Sequence, residues 1–99
     1  ETRRLWVDAK ATGMNNAVFE LHYHGRDGQS WAVGHTAHQR LLDMRDGSGR
    51  YMATPPPGRY QGYVLLMGMK VVIDPTVPHD TIELRDKDDR IVGKIYNIG

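Results

Sequence analysis

Five histidines and no cysteine define the side-chain chemistry open to this chain. His22 and His24 lie two apart within residues 17–24, a stretch in which Ala17, Phe19, Leu21 and Tyr23 alternate with Val18, Glu20, His22 and His24. On a strand, that spacing puts both imidazoles on one face. Such a pair is half of a usual zinc, copper or iron site. His35 and His38 lie three apart around an expected helix start and could supply further ligands. The candidate metal set is therefore His22, His24, His35 and His38. The plainer expectation places the first two on a solvated strand face and the other two beside a helix cap, with no metal and no cofactor. Glu20 could act as an acid–base partner of His22, but one such pair is ordinary on a polar face.

The His22–His24 pair resembles the first motif of the cupins, small metal-binding β-barrels, in which a His-x-His pair is followed by an acidic residue and then a glycine. Here the acidic position falls on Gly28 or Gln29. For the second cupin motif, Pro56-Pro57-Gly58 offers the turn, but the histidine position falls on Gln61. Two of four ligands are missing, so a cupin-like metalloprotein stands only as an alternative. Other chemistries lack their parts. Gly47-Ser48-Gly49 is a turn and not a nucleophile elbow. Gly13, Gly25 and Gly28 do not make a phosphate loop. Residues 86–89, Asp-Lys-Asp-Asp, lack the glycine and terminal glutamate of a calcium loop and read as a hairpin tip. No catalytic residue is assigned, and the chain is not expected to be an enzyme.

The elements that must position these groups follow from periodicity and punctuation. Residues 2–12 fit a short helix capped by Thr2 and ended by Gly13, with a strand at Leu5-Trp6-Val7 as the alternative. Residues 17–24 read as a half-buried strand, and residues 29–33 as its hairpin partner across Gly25-Arg26-Asp27-Gly28. Thr36 and Gln39 have capping-box spacing, and Ala37, Leu41 and Met44 then share a helix face. Asp46-Gly47-Ser48-Gly49 reverses the chain, and residues 50–53 can form a short strand. Pro55-Pro56-Pro57-Gly58 is a stiff surface loop, because proline cannot donate to a ladder. Residues 61–67 and 69–73 are the most apolar pieces, divided at Gly68 by a bend, bulge or tight turn. Residues 81–84 and 91–98 read as strands around the 86–89 tip. The expected class is α+β: a mostly antiparallel β-sheet with one or two short helices.

Ninety-nine residues make a single domain, 1–99, with one modest core. The chain begins at Glu1 and not at Met, so a processed, excised or trimmed chain, a fragment or domain of a longer one, is the expectation. Thirteen Lys and Arg against 12 Asp and Glu argue against a dedicated nucleic-acid binder, although Arg3-Arg4 could form a local patch. No apolar run is long enough to span a bilayer, and no signal peptide is visible. Trp6, Trp31, Tyr51, Tyr60 and Tyr63 are scattered. Tyr60 and Tyr63 beside Arg59 could stack on a partner, but core or rim packing is the ordinary role.

Residues 36–86 resemble a stretch of the tailed-bacteriophage major capsid protein family. The likeness is carried by Leu41, Leu42, Asp46, Gly49, Arg50 and Tyr51, then Leu66, Gly68, Val71 and Val72, then Val77, Pro78, Thr81 and Ile82, in that order. It implies an α+β shell protein that buries its edges against identical neighbours. On this reading Gly68 allows close backbone approach, Val71 and Val72 enter a central sheet, and Pro78 stiffens a turn. The expected function is that of a viral structural protein, a component of a capsid located in the virion. Its partners would be copies of itself or other virion proteins, with no specific nucleic acid, membrane or small-molecule substrate. The chain departs from the family in length, lacking room for an extended arm, a projecting loop or a long spine helix. A small β-rich binding module for protein or glycan, secreted or at a cell surface, is the alternative.

Overall fold

The computed structural model describes residues 5–58 and 62–98. Expectations for Thr2, Arg3-Arg4, Arg59, Tyr60 and Gln61 lie outside the described residues. The element order is β1 (Leu5–Asp8), α1 (Ala9–Thr12), α2 (Met14–His24), β2 (Ser30–Val33), α3 (His35–Leu42), β3 (Ala53–Thr54), β4 (Leu65–Leu66), β5 (Met69–Ile73), β6 (Ile82–Arg85) and β7 (Ile91–Tyr96). The strands form one sheet in the order β1-β7-β6-β2-β5-β4-β3. Four of its six pairings are antiparallel, and β1–β7 and β2–β5 are parallel. The α+β class holds, with three helices rather than one or two, the first being a single turn.

The largest correction concerns residues 17–24, which are helical and not a strand. They form most of α2. Met14, Ala17, Val18 and Leu21 recur at helical spacing, and the last three are buried. Phe19 and Tyr23, which the strand reading sets on the face opposite His22 and His24, are exposed. Consequently β2 has no hairpin partner at 17–24; its neighbours are β5 and β6. At the N-terminus the strand alternative prevails over the helix: Leu5-Trp6-Val7 pairs with β7. Helix α1 begins only after Asp8, whose carboxylate accepts the Lys10 N–H at 3.0 Å. Helix α3 forms where expected, but its N-cap is Gly34, with no side-chain cap bond, so the Thr36–Gln39 box is not made.

Strands β4 and β5 form a two-residue hairpin. Met67 and Gly68 at its tip have φ of 54° and 78°, the left-handed pair of a type I′ turn. Nothing lies within 4 Å of where a Gly68 Cβ would be. Gly68 therefore serves the turn and not a close backbone approach. The 86–89 tip forms as read: the Asp86 carboxylate accepts the Asp88 and Arg90 N–H groups at 2.9 Å each. In the proline loop Pro55 and Pro57 are exposed and Pro56 is buried.

One core lies between the sheet and helices α2 and α3. Val7, Ile95, Ile82, Leu84, Trp31, Val33, Val71 and Leu66 face Ala17, Val18, Leu21, Ala37 and Leu41. Trp31 is fully buried, and its indole N–H donates to the Leu66 carbonyl at 2.8 Å, tying β2 to β4 across β5. Both helices pack on the same side of the sheet. Among the described residues, the other side of the central strands is left without a helix.

Candidate functional site

The four histidines do not assemble. Helix α2 separates His22 from His24, because residues two apart on a helix point about 200° apart. The same geometry parts Glu20 from His22. His24 instead stands edge-on to Tyr23, with ring centroids 5.0 Å apart. His35 and His38 do share a face of α3. Burial holds His38 below its usual pKa, and the nearby charge of His35 adds to the effect. Among the described residues, no group of three or more His, Cys, Asp and Glu side chains could hold a metal ion.

The helix-free face of the sheet carries a more organised set. The register aligns Trp6, Lys94, Glu83, Ala32 and Val72 in one row across β1, β7, β6, β2 and β5. Alternation sends all five to the side opposite the core. The ends of the row are apolar and open: Trp6 is 50% exposed and Val72 40%. Tyr96, two residues beyond Lys94 on the same face, is 37% exposed.

The middle of the row is a compact ion network. Glu83 is only 5% exposed. Arg85 donates to its carboxylate from Nε at 3.2 Å and from Nη2 at 2.8 Å. Arg85 Nη1 reaches the Asp74 carboxylate at 3.0 Å and Asp89 at 3.4 Å. Lys94 Nζ lies 3.9 Å from Glu83 and sits over the Trp6 ring, 4.6 Å from its centroid. Arg85 is on β6 and Asp74 follows β5, so the arginine must cross β2 between them. Ala32, the β2 residue on this side, is accordingly 1% exposed without a helix above it.

Electrostatics follow the bonding. The Glu83 hydrogen bond, helped by Asp74 and Asp89 and opposed by burial, raises the Arg85 pKa further above its ordinary value. Asp74 is held below the usual carboxylate range, first by the Thr76 hydroxyl and backbone N–H and then by Arg85. The arrangement offers no nucleophile with its base. It offers a flat, rigid surface with aromatic ends and a charged, internally satisfied centre.

Sequence reading did not single out this set. In the sequence Trp6 is one scattered aromatic, Glu83 belongs to an ordinary strand at 81–84, and Arg85 lies just beyond it. The available signal was the strand option at Leu5-Trp6-Val7, which turns Trp6 away from Val7. Strand β1 also ends the strand order, so among the described residues its outer edge is unpaired. No helix among the described residues is long and apolar enough to cross a membrane. Comparison with family models, curated proteins and solved structures finds no match to this chain.

Proposed function

We propose that this chain is a structural domain that works by protein–protein contact, joining copies of itself or other shell proteins as a component of a phage-type virion, and that it carries out no catalysis. One observation carries the reading: a helix-free sheet face bears half-exposed Trp6 on a strand whose outer edge has no partner among the described residues. Aromatic side chains on a rigid sheet lose little conformational freedom on contact, and tryptophan is prominent among residues that dominate interface energies. An open strand edge can accept another strand through main-chain hydrogen bonds. The internal pairing of Glu83, Arg85, Asp74 and Lys94 lowers the desolvation cost of covering the face. The helix at His35–Leu42, the chain reversal at Asp46–Gly49 and the strand at Ile82 follow the order that the capsid resemblance implies and support this reading, whereas Gly68 serves a hairpin turn and not the implied close approach.

The continuous core favours a second reading, a small binding module that presents the same face to a different protein or to a glycan. Sedimentation velocity over a concentration series separates the two. Self-assembly predicts a mass that rises with concentration and an apparent Kd weakened about tenfold or more by Trp6→Ala, the loss of a tryptophan anchor. A chain that stays monomeric at the highest attainable concentration removes the assembly reading.

A further inference from the structure

Strands β1 and β7 are parallel, β2 and β5 are parallel, and β6 runs against both β2 and β7. Four strands therefore end at the same side of the molecule. A cavity of about 640 Å³ opens there, between α1, α3, the loop before β6 and the end of β7. Its volume falls within the ordinary range for small-ligand sites, roughly 300–1,000 Å³. Three cationic or protonatable side chains line it from three separate segments: Lys10 on α1, Arg40 on α3 and His79 on the loop. None of the three side chains has an ion-pair or hydrogen-bond partner among the described residues.

What sets these three apart is convergence: separate segments bring them to one cavity, and none is paired with a carboxylate among the described residues. Thr36 lies one turn before Arg40 on α3 and lines the same cavity, adding a hydroxyl. The wall is apolar, with buried Ala9 and Ile98 and half-buried Met14. One acid is present, Asp80, which accepts the Thr81 hydroxyl at 3.2 Å. Its charge disfavours a second anionic group on the ligand.

We propose that this cavity binds a small organic phosphate bearing a single phosphoryl group. The phosphoryl oxygens take charge-assisted hydrogen bonds from Arg40, Lys10 and the Thr36 hydroxyl, with His79 as a further donor. The organic body lies against Met14, Ile98 and Ala9. A bare phosphate leaves most of the cavity unfilled, so the apolar wall distinguishes an ester from the free ion. This site is separate from the helix-free sheet face and does not depend on the assembly reading.

The test is NMR of the ¹⁵N-labelled chain at constant ionic strength, titrated in parallel with inorganic phosphate, phenyl phosphate and sodium chloride. The expected result is saturable shifts at the Lys10, Thr36, Arg40 and His79 amides, with phenyl phosphate binding more tightly than inorganic phosphate. Lys10→Gln and Arg40→Gln, both exposed side chains, should each weaken phenyl phosphate about tenfold, the loss of one hydrogen bond to a charged group. Shifts that chloride reproduces, or that both glutamine variants retain unchanged, overturn the site. Equal affinity for the two phosphates overturns the assignment to an organic ester.

Discussion

Glu83 shows how a single side chain can be strongly held without marking a catalytic site. Its carboxylate is nearly buried, yet Arg85 satisfies it twice and Lys94 lies beside it. Removing one member of such a pair strands the other in a poorly hydrated place. Glu83→Ala should therefore destabilise the fold by about 3 kcal/mol, near the lower end for a broken buried pair. The lower end applies because Asp74 and Asp89 still neutralise Arg85. Replacing both partners with apolar residues of similar size, Glu83→Leu with Arg85→Met, should cost much less than the single change. Urea denaturation of the three proteins checks the order. A single variant as stable as the parent would mean that the network is incidental.

At the scale of elements, the misread segment is instructive because two periodicities coincide in it. Ala17, Phe19, Leu21 and Tyr23 satisfy a period of two, while Met14, Ala17, Val18 and Leu21 satisfy the helical period. Length decides between them. Gly13 and Gly25 bracket the 11 residues of α2, too many for an ordinary hairpin strand but natural for three turns of helix. The break at Gly68 and the 86–89 tip are legible because their turn residues sit beside apolar runs, and helix α3 is legible from the spacing of Ala37 and Leu41 although its expected Thr36–Gln39 cap is not made. The β1–β7 parallel pairing is not legible, since it joins the two ends of the chain and leaves no local signal. For the same reason the Trp6–Lys94 contact, and with it the candidate face, could not be read from spacing. The α2–sheet packing depends on Gly93, where an added Cβ would meet the Leu21 side chain and come within 3.0 Å of the Leu5 carbonyl oxygen. Gly93→Ala should cost about 1–3 kcal/mol, as overpacking does. Gly47→Ala, with nothing within 4 Å, is the matched control and should be near neutral. Denaturant midpoints measure both, and equal midpoints for the two variants would contradict the packing described.

For the whole molecule, two titrating groups at different places give acid sensitivity the same direction. His38 has its folded pKa below the ordinary 6.5, through burial and then the charge of His35. The unfolded chain thus takes up this proton more readily than the folded one. Its contribution to stability is complete above pH 6.5 and declines as pH falls through the lower folded value. Asp74 is likewise held below its ordinary 3.8, by Thr76 and then Arg85, so its contribution is complete above that pH and fades at more acidic values. The Tm should accordingly fall in two stages on acidification, an early one from His38 and a late one from Asp74. His38→Gln should flatten the first stage and keep the second. Asp74→Asn should lower stability at neutral pH and soften the second stage, since Thr76 and Arg85 would no longer face a carboxylate. Because Arg85 links Asp74 to Glu83, the late stage should also loosen the helix-free face. Trp6 fluorescence, with buried Trp31 substituted by Phe to isolate it, would report that change. A Trp6 signal that stays constant until global unfolding would separate acid stability from the face.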